Sequence, residues 1–317
     1  MDRPRITFVG NSVVDVIGMS PDRPPGFGEL VAGRGPARLC VGGNGAIAAA
    51  AAAALGAEAA LASTVGDDQW GRWLTDRLMA LGVDVSQLQA RKDGPTSTTI
   101  SLVRTDGERA LLTHNGVAAL HDPSTVSVDD MPAGSWLLVA SLLLVPTYAG
   151  DSLRGLVARA KRRGMYIALD LCWDPTGRWD LDSLPLDLCD LILGNDQELI
   201  RASRKADVDT AIDAALLRGA KGAVAKLGSA GARVAREAYG RRAQVAAPRV
   251  RAVNATGTGD VFNGALLVAL SEGMELEQAV RFACGAGALR VSGGCDTFPG
   301  REEVEGILGA SVAAPEG

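Results

Sequence analysis

Aromatic side chains are scarce in this chain of 317 residues, where Phe, Trp and Tyr together make up 4%. Hydrophobic residues nevertheless reach 47% and charged residues 22%, so there is enough apolar material for a buried core and the chain is not disordered. With few aromatic anchors and 39 glycines, close packing of helices on a sheet is favoured. The length exceeds that of an average domain but is short for two independent ones, and we expect a single domain over residues 1–317.

Positive charge is also lacking. The formal net charge is −5, and the short basic runs Lys161–Arg163 and Arg241–Arg242 do not make a surface for a polyanion. The apolar run Ala46–Ala54 is broken by Gly56 and Glu58, well short of a bilayer span. No signal peptide opens the chain. We therefore expect neither nucleic acid nor a membrane as a partner.

Histidine is nearly absent, since only His114 and His121 occur. Two histidines are too few for a His-based metal site, and they offer few candidates for the histidine of a Ser–His–Asp triad. The cysteines show neither metal-type spacing nor a paired framework, which favours a reduced, cytoplasmic compartment. They are Cys40, Cys172, Cys189, Cys284 and Cys295.

Short apolar runs alternate with helical patterns, which is typical of a parallel sheet covered on both faces. Glycines follow several of the helical patterns, as expected for helix ends. The predicted strands are Arg5–Val9, Ala59–Ser63, Trp136–Ala140, Tyr166–Leu169, Leu191–Leu193 and Ala223–Leu227. The predicted helices are Asn44–Leu55, Trp70–Leu81, Ser152–Arg163, Asp207–Leu217, Asp260–Ser271 and Leu276–Ser292. The predicted fold class is therefore α/β with a mostly parallel central sheet.

Two segments interrupt this alternation. Pro21–Leu39 is rich in Pro, Gly and Arg and has little periodicity. Thr96–Thr113 alternates around Asp106-Gly107, which is the signal for a β-hairpin with a turn of suitable chemistry. Both segments are insertions relative to a plain βα scheme.

The segment Asn254–Asp260, with the sequence N-A-T-G-T-G-D, leads into an apolar helical pattern. A glycine-rich turn at a helix N-terminus directs unpaired N–H groups and a positive dipole end at one point, which suits an anion. Asp260 would repel a phosphate bound there unless it takes a proton from something. This contradiction suggests phosphoryl transfer, with Asp260 as the base and the Gly257–Gly259 amides stabilising the moving charge. The alternative is that Asp260 only caps the helix.

Polar and small residues follow the first predicted strand and precede the first predicted helix. Asp15 follows the strand by a short loop, where ligands of open α/β sheets bind, so it can accept hydrogen bonds from hydroxyl groups; otherwise it is a turn aspartate. Gly42 and Gly43 let backbone N–H groups reach a polyol, or form a tight turn with a positive φ, or both. Asn44 adds a side-chain hydrogen bond or is the N-cap.

Asn195 and Glu198 lie one helical turn apart after a predicted strand, so they share a face. This spacing suits residues that hold the water ligands of Mg²⁺. A capping box, in which Asn195 caps the helix and Glu198 reaches back, is the alternative that spacing alone favours. Lys226, Gly228 and Gly231 lie on a strand and the turn after it, where the alternative to a ligand site is a structural hairpin.

Together these motifs resemble those of the ribokinase-like carbohydrate kinases, the phosphofructokinase-B type. Asn254–Asp260 is similar to the family's second signature, D-T-x-G-A-G-D, and Gly42–Ala46 with its alanine-rich helix is similar to the first. Further matches, in the family's order over nearly the full length, are Thr64–Asp68 with Gly71, Asn195-x-x-Glu198, Lys226-x-Gly228-x-x-Gly231 and Gly294–Pro299. The resemblance implies a three-layer α/β/α fold with a small β lid, formed by residues 16–40 and 95–118 approximately, that excludes water.

The resemblance also implies a reaction, the ATP- and Mg²⁺-dependent phosphorylation of a hydroxyl group on a small sugar or sugar-like molecule. The catalytic residues it implies are Asp260, Gly257, Thr258 and Gly259. The implied substrate-binding residues are Asp15, Gly42, Gly43, Asn44 and Asp170. The implied nucleotide-binding residues are Asn195, Lys226, Gly228, Gly231, Thr256 and Cys284, and the implied Mg²⁺ residues, acting through water, are Glu198 and Asn195. Lid-mediated dimers are common in the family, so a homodimer is compatible with the resemblance.

Several positions depart from the family pattern. Asn254-Ala255 replaces an Asp and a Thr in a region that helps many relatives hold a monovalent cation, which weakens the case for such a cation here. Val13 and Ile47 replace asparagines that meet substrate hydroxyl groups, which suggests an acceptor less hydroxylated than ribose or fructose, or differently oriented. Asp170–Asp174 lacks the final arginine of the family's D-x-N-x-R stretch, which weakens a sugar-phosphate acceptor.

Two other functions stay open at the level of sequence. A nucleoside kinase of the same fold is one, since Val13 and Ile47 could face a base, although aromatic residues for stacking are scarce. A non-catalytic ligand-binding or regulatory relative is the other, and the presence of Asp260 and Glu198 argues against it. A dinucleotide-binding oxidoreductase is disfavoured because no G-x-G-x-x-G follows the first strand.

Overall fold

The structure, a computed structural model, describes residues 3–19, 23–104 and 109–313. Its strands, numbered in chain order, are β1 (Arg5–Val9), β2 (Val13–Met19), β3 (Arg38–Gly42), β4 (Glu58–Gly66), β5 (Leu88–Arg91), β6 (Thr98–Val103), β7 (Arg109–His114), β8 (Trp136–Val139), β9 (Tyr166–Asp170), β10 (Leu191–Asn195), β11 (Ala223–Lys226), β12 (Ala232–Ala235) and β13 (Ala243–Val245). Its α-helices are α1 (Asn44–Ala54), α2 (Gln69–Ala80), α3 (Gly150–Arg162), α4 (Asp196–Ser203), α5 (Val208–Leu217), α6 (Thr258–Ser271), α7 (Leu276–Gly293) and α8 (Arg301–Ala313).

The central sheet has the strand order β13-β12-β11-β10-β9-β8-β1-β4-β5. The pairings from β11 to β5 are parallel, whereas β12 and β13 run antiparallel at one side. The carboxyl ends of β1 and β8–β11 therefore point the same way, where ligands of open α/β sheets bind. The predicted α/β fold with a mostly parallel sheet is confirmed.

Helices cover both faces of this sheet. Strand β8 shows the alternation, because Trp136 and Leu138 enter one apolar cluster while Leu137 and Val139 enter the other. The first cluster also receives α1, α2 and α6–α8, and the second receives α3–α5. The three layers follow directly from period-two patterning of strands that are buried on both sides. No helix in the described ranges combines the length and apolar character needed to cross a bilayer.

Small side chains set the spacing between α1 and α6. The residues of α1 from Gly45 to Ala52 are buried. On the facing helix, a Cβ added at Gly264 would lie 2.4 Å from the carbonyl oxygen of Ala48. The two backbones approach so closely that only glycine fits, which is the close packing that the shortage of aromatic residues predicts.

A second sheet, in the order β3-β2-β6-β7, lies apart from the central one. The predicted hairpin over Thr96–Thr113 is confirmed by the antiparallel pairing of β6 and β7, although its Asp106-Gly107 turn lies outside the described residues. Local pattern predicts neither β2 nor β3, although the first lid segment that the family resemblance implies, residues 16–40, overlaps both. They pair with each other across the irregular segment Pro21–Leu39, a non-local contact that no periodicity within that segment reveals.

The prediction of no paired cysteines is wrong. Cys40 on β3 and Cys295 after α7 form a disulfide, with their Cα atoms 6.0 Å apart and a sequence separation of 255. Spacing along the chain cannot reveal such a pair, because the connection depends on how β3 and the end of α7 meet in the fold. The remaining cysteines, Cys172, Cys189 and Cys284, are free.

Candidate active site

Asp260 is the third residue of α6, and it accepts a hydrogen bond of 2.9 Å from Nδ2 of Asn44 on α1. Asp260 is 8% exposed. Burial raises the pKa of Asp260 to about 6, and the negative charge of Asp170 adds to the rise. The groups that oppose the rise are Lys226, Asn44 and Arg290. At neutral pH this carboxylate is largely ionised and able to accept a proton.

The turn before α6 begins at Gly257, which is the N-cap and has a φ of 72°. A Cβ at Gly257 would lie 2.7 Å from Cδ1 of Ile47, and any L-residue would be strained in this conformation. The N–H of Thr258 donates within the turn at 3.3 Å, whereas those of Gly259 and Asp260 belong to the first helical turn and have no acceptor inside the helix. The alternative that Asp260 is the N-cap is wrong, because Gly257 holds that position. The amides at the start of α6 have the arrangement that suits an anion.

Two residues that the sequence patterns did not single out orient Asn44. Oδ1 of Asn11 accepts hydrogen bonds from the Asn44 N–H at 2.8 Å and from Oγ of Ser141 at 2.7 Å. Oγ of Ser141 also lies 3.0 Å from Oδ1 of Asn44. The N-cap of α1 is Gly43, so the side chain of Asn44 serves hydrogen bonding and not capping. The sequence signal for Asn11 and Ser141 is their position just after β1 and β8, because ligands of open α/β sheets bind at the carboxyl ends of parallel strands.

Asp15 is a strand residue of the second sheet, 7% exposed and in register with Cys40 of β3. It is therefore not a turn aspartate. A Cβ at Gly42 would lie 2.4 Å from Oδ1 of Asp15, so this glycine leaves the room that the carboxylate occupies. Gly43 has a φ of 89°, which confirms the predicted turn with a positive φ.

Asp170 and Lys226, which the sequence assigns separately to substrate and nucleotide, form an ion pair. Nζ of Lys226 lies 2.7 Å from Oδ1 of Asp170 and 3.2 Å from Oδ1 of Asn263. The exposed fractions of the two side chains are 15% for Lys226 and 3% for Asp170. Burial lowers the pKa of Lys226, but the charges of Asp170 and Glu198 raise it by more, so the net pKa lies above its usual value. A Cβ at Gly259 would lie 3.5 Å from Nζ, which places the ammonium group beside the turn.

Asn195 and Glu198 form the capping box at the start of α4, so that alternative is confirmed. Oε2 of Glu198 accepts the Asn195 N–H at 2.8 Å, and burial raises the pKa of Glu198 while the charge of Lys226 opposes the rise. No group of three or more His, Cys, Asp or Glu side chains in the described residues could hold a metal ion by itself. One carboxylate beside an amide still fits Mg²⁺, which keeps several waters and takes its other ligands from phosphates.

The remaining predicted nucleotide residues lie on nearby turns and on α7. Gly228 and Gly231, with φ of 59° and 89°, turn the chain from β11 into β12, which confirms the structural hairpin there. The N–H of Thr256 donates to Oδ1 of Asn254 at 2.9 Å and so orders the loop before the α6 turn. Cys284 is 5% exposed within the first apolar cluster, and its contact with a nucleotide stays a prediction.

The two apolar replacements are both buried. Ile47 is 2% exposed and supports the Gly257 turn from α1, and Val13 is 6% exposed and pairs with Gly42. Cys172 follows β9, and its Sγ lies 3.6 Å from Oδ1 of Asn44. Val13 and Ile47 therefore offer a ligand no hydrogen-bonding side chain at these two positions.

The chain is similar to known carbohydrate kinases over nearly its full length. The profile described as pfkB family carbohydrate kinase matches residues 3–299. The ribokinase of Arabidopsis thaliana is 27% identical over 319 residues, which cover 98% of this chain and 82% of that protein. The structure of a fructokinase from Vibrio cholerae O395, bound to fructose, ADP and a calcium ion, is 26% identical with a TM-score of 0.76 and covers 96% of this chain and 99% of its own. A ribokinase II candidate from E. coli, solved with ATP and Mg²⁺, has the same fold, with 22% identity, a TM-score of 0.80 and coverage of 98% of this chain and 100% of its own.

Proposed function

Because this chain belongs to the pfkB family of carbohydrate kinases, we propose that it transfers the γ-phosphoryl group of ATP to a hydroxyl group of a small sugar or sugar-like molecule. The position of Asp260 carries the proposal. Its carboxylate is buried, has its pKa raised to about 6, and stands on the first turn of a helix that begins with a glycine turn. Transfer to a hydroxyl group requires a base beside a site for negative charge, and the placement of Asp260 at the Gly257 turn supports these two roles.

In the proposed step, the acceptor oxygen bonds to the γ-phosphorus while the bond from that phosphorus to the leaving oxygen of ADP breaks. Asp260 takes the hydroxyl proton, and Asn44 holds the carboxylate in one orientation through its 2.9 Å hydrogen bond. The amides of Gly259 and Asp260 would face the transferred group, and the ammonium group of Lys226 lies beside the turn that carries them. Asp15 on β2 accepts hydrogen bonds from the other hydroxyl groups of the acceptor.

The nucleotide side of the site is proposed to lie along the ends of β10 and β11. Asn195, Lys226 and the Gly228–Gly231 turn line it, with Thr256 in the adjoining loop. Glu198 and Asn195 would hold Mg²⁺ through water, and the ion would supply positive charge to the phosphate oxygens. In this proposal the contacts for ATP lie at one end of the Gly257 turn and those for the acceptor lie at the other.

The second sheet is proposed to be the lid, since its strand β2 carries Asp15 and its strand β3 leads through Gly42 into α1. A lid over the acceptor keeps water from competing for the phosphoryl group. The faces of β6 and β7 also expose Ile100, Leu111 and Leu112, which makes the predicted homodimer through this sheet physically reasonable.

An acceptor panel tests the proposed function. ADP release from Mg·ATP would be measured with sugars, deoxysugars, cyclitols and nucleosides, using Asp260→Ala as the inactive control. Stimulation by a sugar-like acceptor that is lost in the variant supports the proposal. Stimulation only by nucleosides would move the assignment to a nucleoside kinase, and ATP binding without turnover on any acceptor would favour a non-catalytic relative.

The activity of the wild-type protein should fall on the acid side of about pH 6. Burial raises the pKa of Asp260 to about 6, and only the ionised carboxylate can accept the hydroxyl proton. Activity is therefore present above this pKa and lost as the pH falls through it, by about tenfold per pH unit in kcat/KM. Protein returned from acid to neutral pH must recover full activity, so that unfolding does not mimic the effect. A profile that stays flat well below the pKa of Asp260 would contradict the assignment.

A further inference from the structure

Arg290 on α7 has the largest of the almost fully buried side chains in the described residues, with 1% exposed. Its Nε donates to the carbonyl oxygen of Thr256 at 3.3 Å, and its Nη1 donates to that of Thr297 at 3.0 Å. The guanidinium carbon also lies 5.0 Å from the centre of the Phe298 ring. This side chain thus joins the loop before α6 to the segment after α7.

The guanidinium group lies directly behind the turn that begins α6. A Cβ added at Gly257 would be 3.1 Å from Nη2 of Arg290. The same loop is held from its other side, because the N–H of Thr256 donates to Asn254. The conformation of the turn is therefore set by contacts on both sides of Thr256, one within the loop and one from α7.

Packing alone does not account for an arginine at this place. Burial lowers the pKa of Arg290, and the negative charges of Asp260, Asp296 and Asp15 oppose this. A buried cation that meets carbonyl oxygens is generally no more stabilising than an apolar side chain of similar volume. Positive charge behind the turn becomes stabilising when negative charge develops in front of the turn, as it does during transfer of a phosphoryl group.

We infer that Arg290 is a positioning residue for the reaction, which holds the Gly257 turn through the Thr256 carbonyl group and places fixed positive charge behind the turn's amides. The inference rests on the proposed function. Arg290 does not touch the reacting atoms in this role, since its hydrogen bonds end on the backbone behind them. It acts on the rate through the orientation of the turn and through the charge felt by Asp260.

Variants at Arg290 test this role against a purely structural one. Arg290→Met keeps much of the volume but removes the charge, Arg290→Lys keeps the charge, and Arg281→Met is the control at an exposed position of the same helix. We expect kcat to fall about 100-fold in Arg290→Met, the cost of a small misplacement, with a much smaller change in the KM for ATP. Arg290→Lys should recover part of the loss, and Arg281→Met should behave as wild type.

The pH profile separates charge from packing. Around Asp260 the charged and titratable groups are Asp170, Lys226, Glu198, Cys172 and Arg290. Losing only the arginine charge should move the acid limb of kcat/KM to higher pH in Arg290→Met but not in Arg290→Lys. An unchanged limb, together with a kcat loss equal to the loss of folded protein, would reduce Arg290 to a structural residue.

Hydrogen exchange provides a readout that needs no turnover. The amides of residues 254–260 in the ligand-free protein should exchange faster in Arg290→Met than in the wild type or in Arg281→Met. Equal exchange in all three proteins would overturn the positioning role even if kcat fell. If the wild type phosphorylates no acceptor, the proposed function fails, and the exchange rates alone then decide whether Arg290 holds the turn.

Discussion

Replacing Asp260 with asparagine should lower kcat by about 10²- to 10⁴-fold, the usual contribution of a positioned base. The amide keeps nearly the same shape and can still meet Asn44, but it cannot take the hydroxyl proton. The N-terminal turn of α6 and the Lys226 ammonium group remain in place. The measurement is kcat with the acceptor identified by the panel, together with a binding isotherm for ATP.

The binding of ATP should survive this substitution, because removing a negative charge beside an anion site does not weaken the site for phosphate. Asp151→Asn is the matched control, since Asp151 is likewise an acidic residue in the first turn of a helix, α3, but is exposed. An Asp260→Asn protein with near-normal turnover would rule out the base. A loss of both binding and stability would instead point to a structural role for the carboxylate.

Replacing Lys226 with methionine should lower the free energy of unfolding by about 3–5 kcal/mol, because Asp170 would be left as a buried charge without its partner. The side chain of Asp170 is only 3% exposed, so water cannot replace the ammonium group. Urea unfolding followed by circular dichroism measures the change. The same variant should also move the acid limb of activity to higher pH, since the charge of Lys226 lowers the pKa of Asp260.

The double variant Lys226→Met, Asp170→Asn separates the pair from its surroundings. It should recover much of the lost stability, because the second substitution removes the uncompensated charge. Lys161→Met is the control: Lys161 lies 2.7 Å from Asp190 but is 25% exposed, and Asp190 keeps Lys221 at 2.9 Å. A loss within about 1 kcal/mol is expected there. Equal losses of stability in Lys226→Met and Lys161→Met would show that the buried pair stabilises the fold no more than the partly exposed pair.

Much of the fold could be read from local pattern. The strand Arg5–Val9 is predicted with its observed ends, and the predicted ends of α1, α2 and α7 differ from the observed ones by one residue. These elements carry strong periodicity and are bounded by glycines. Local pattern predicts neither the helices α4 and α8 nor the strands β2, β3, β5 and β13. The strands and α4 are short or depend on pairing with distant segments, whereas α8 has 13 residues whose mixture of small, polar and apolar side chains shows no clear period.

The candidate site was found only in part. Asp260, Gly257 and Asn44 could be named because they lie in motifs where residue type and spacing indicate a helix start. Asn11 and Ser141 stand alone at strand ends, and Arg290 lies within a helix whose neighbouring residues are apolar. For Asn11 and Ser141 the position after a strand is the one local sign, and nothing near Arg290 in sequence marks it, because the partners of all three come from other elements.

The amino-acid sequence by itself determined the alternation of strands and helices, the glycine turn before α6, and the presence of a carboxylate at that turn. Such features depend on neighbours within a few residues, whose propensities and spacing are visible along the chain. Only the tertiary structure decided which groups meet. Asp260 pairs with Asn44 across 216 residues, Lys226 with Asp170 across 56, and Cys40 with Cys295 across 255. These contacts follow from how the layers pack, and the charge and pKa of each group in the site depend on them.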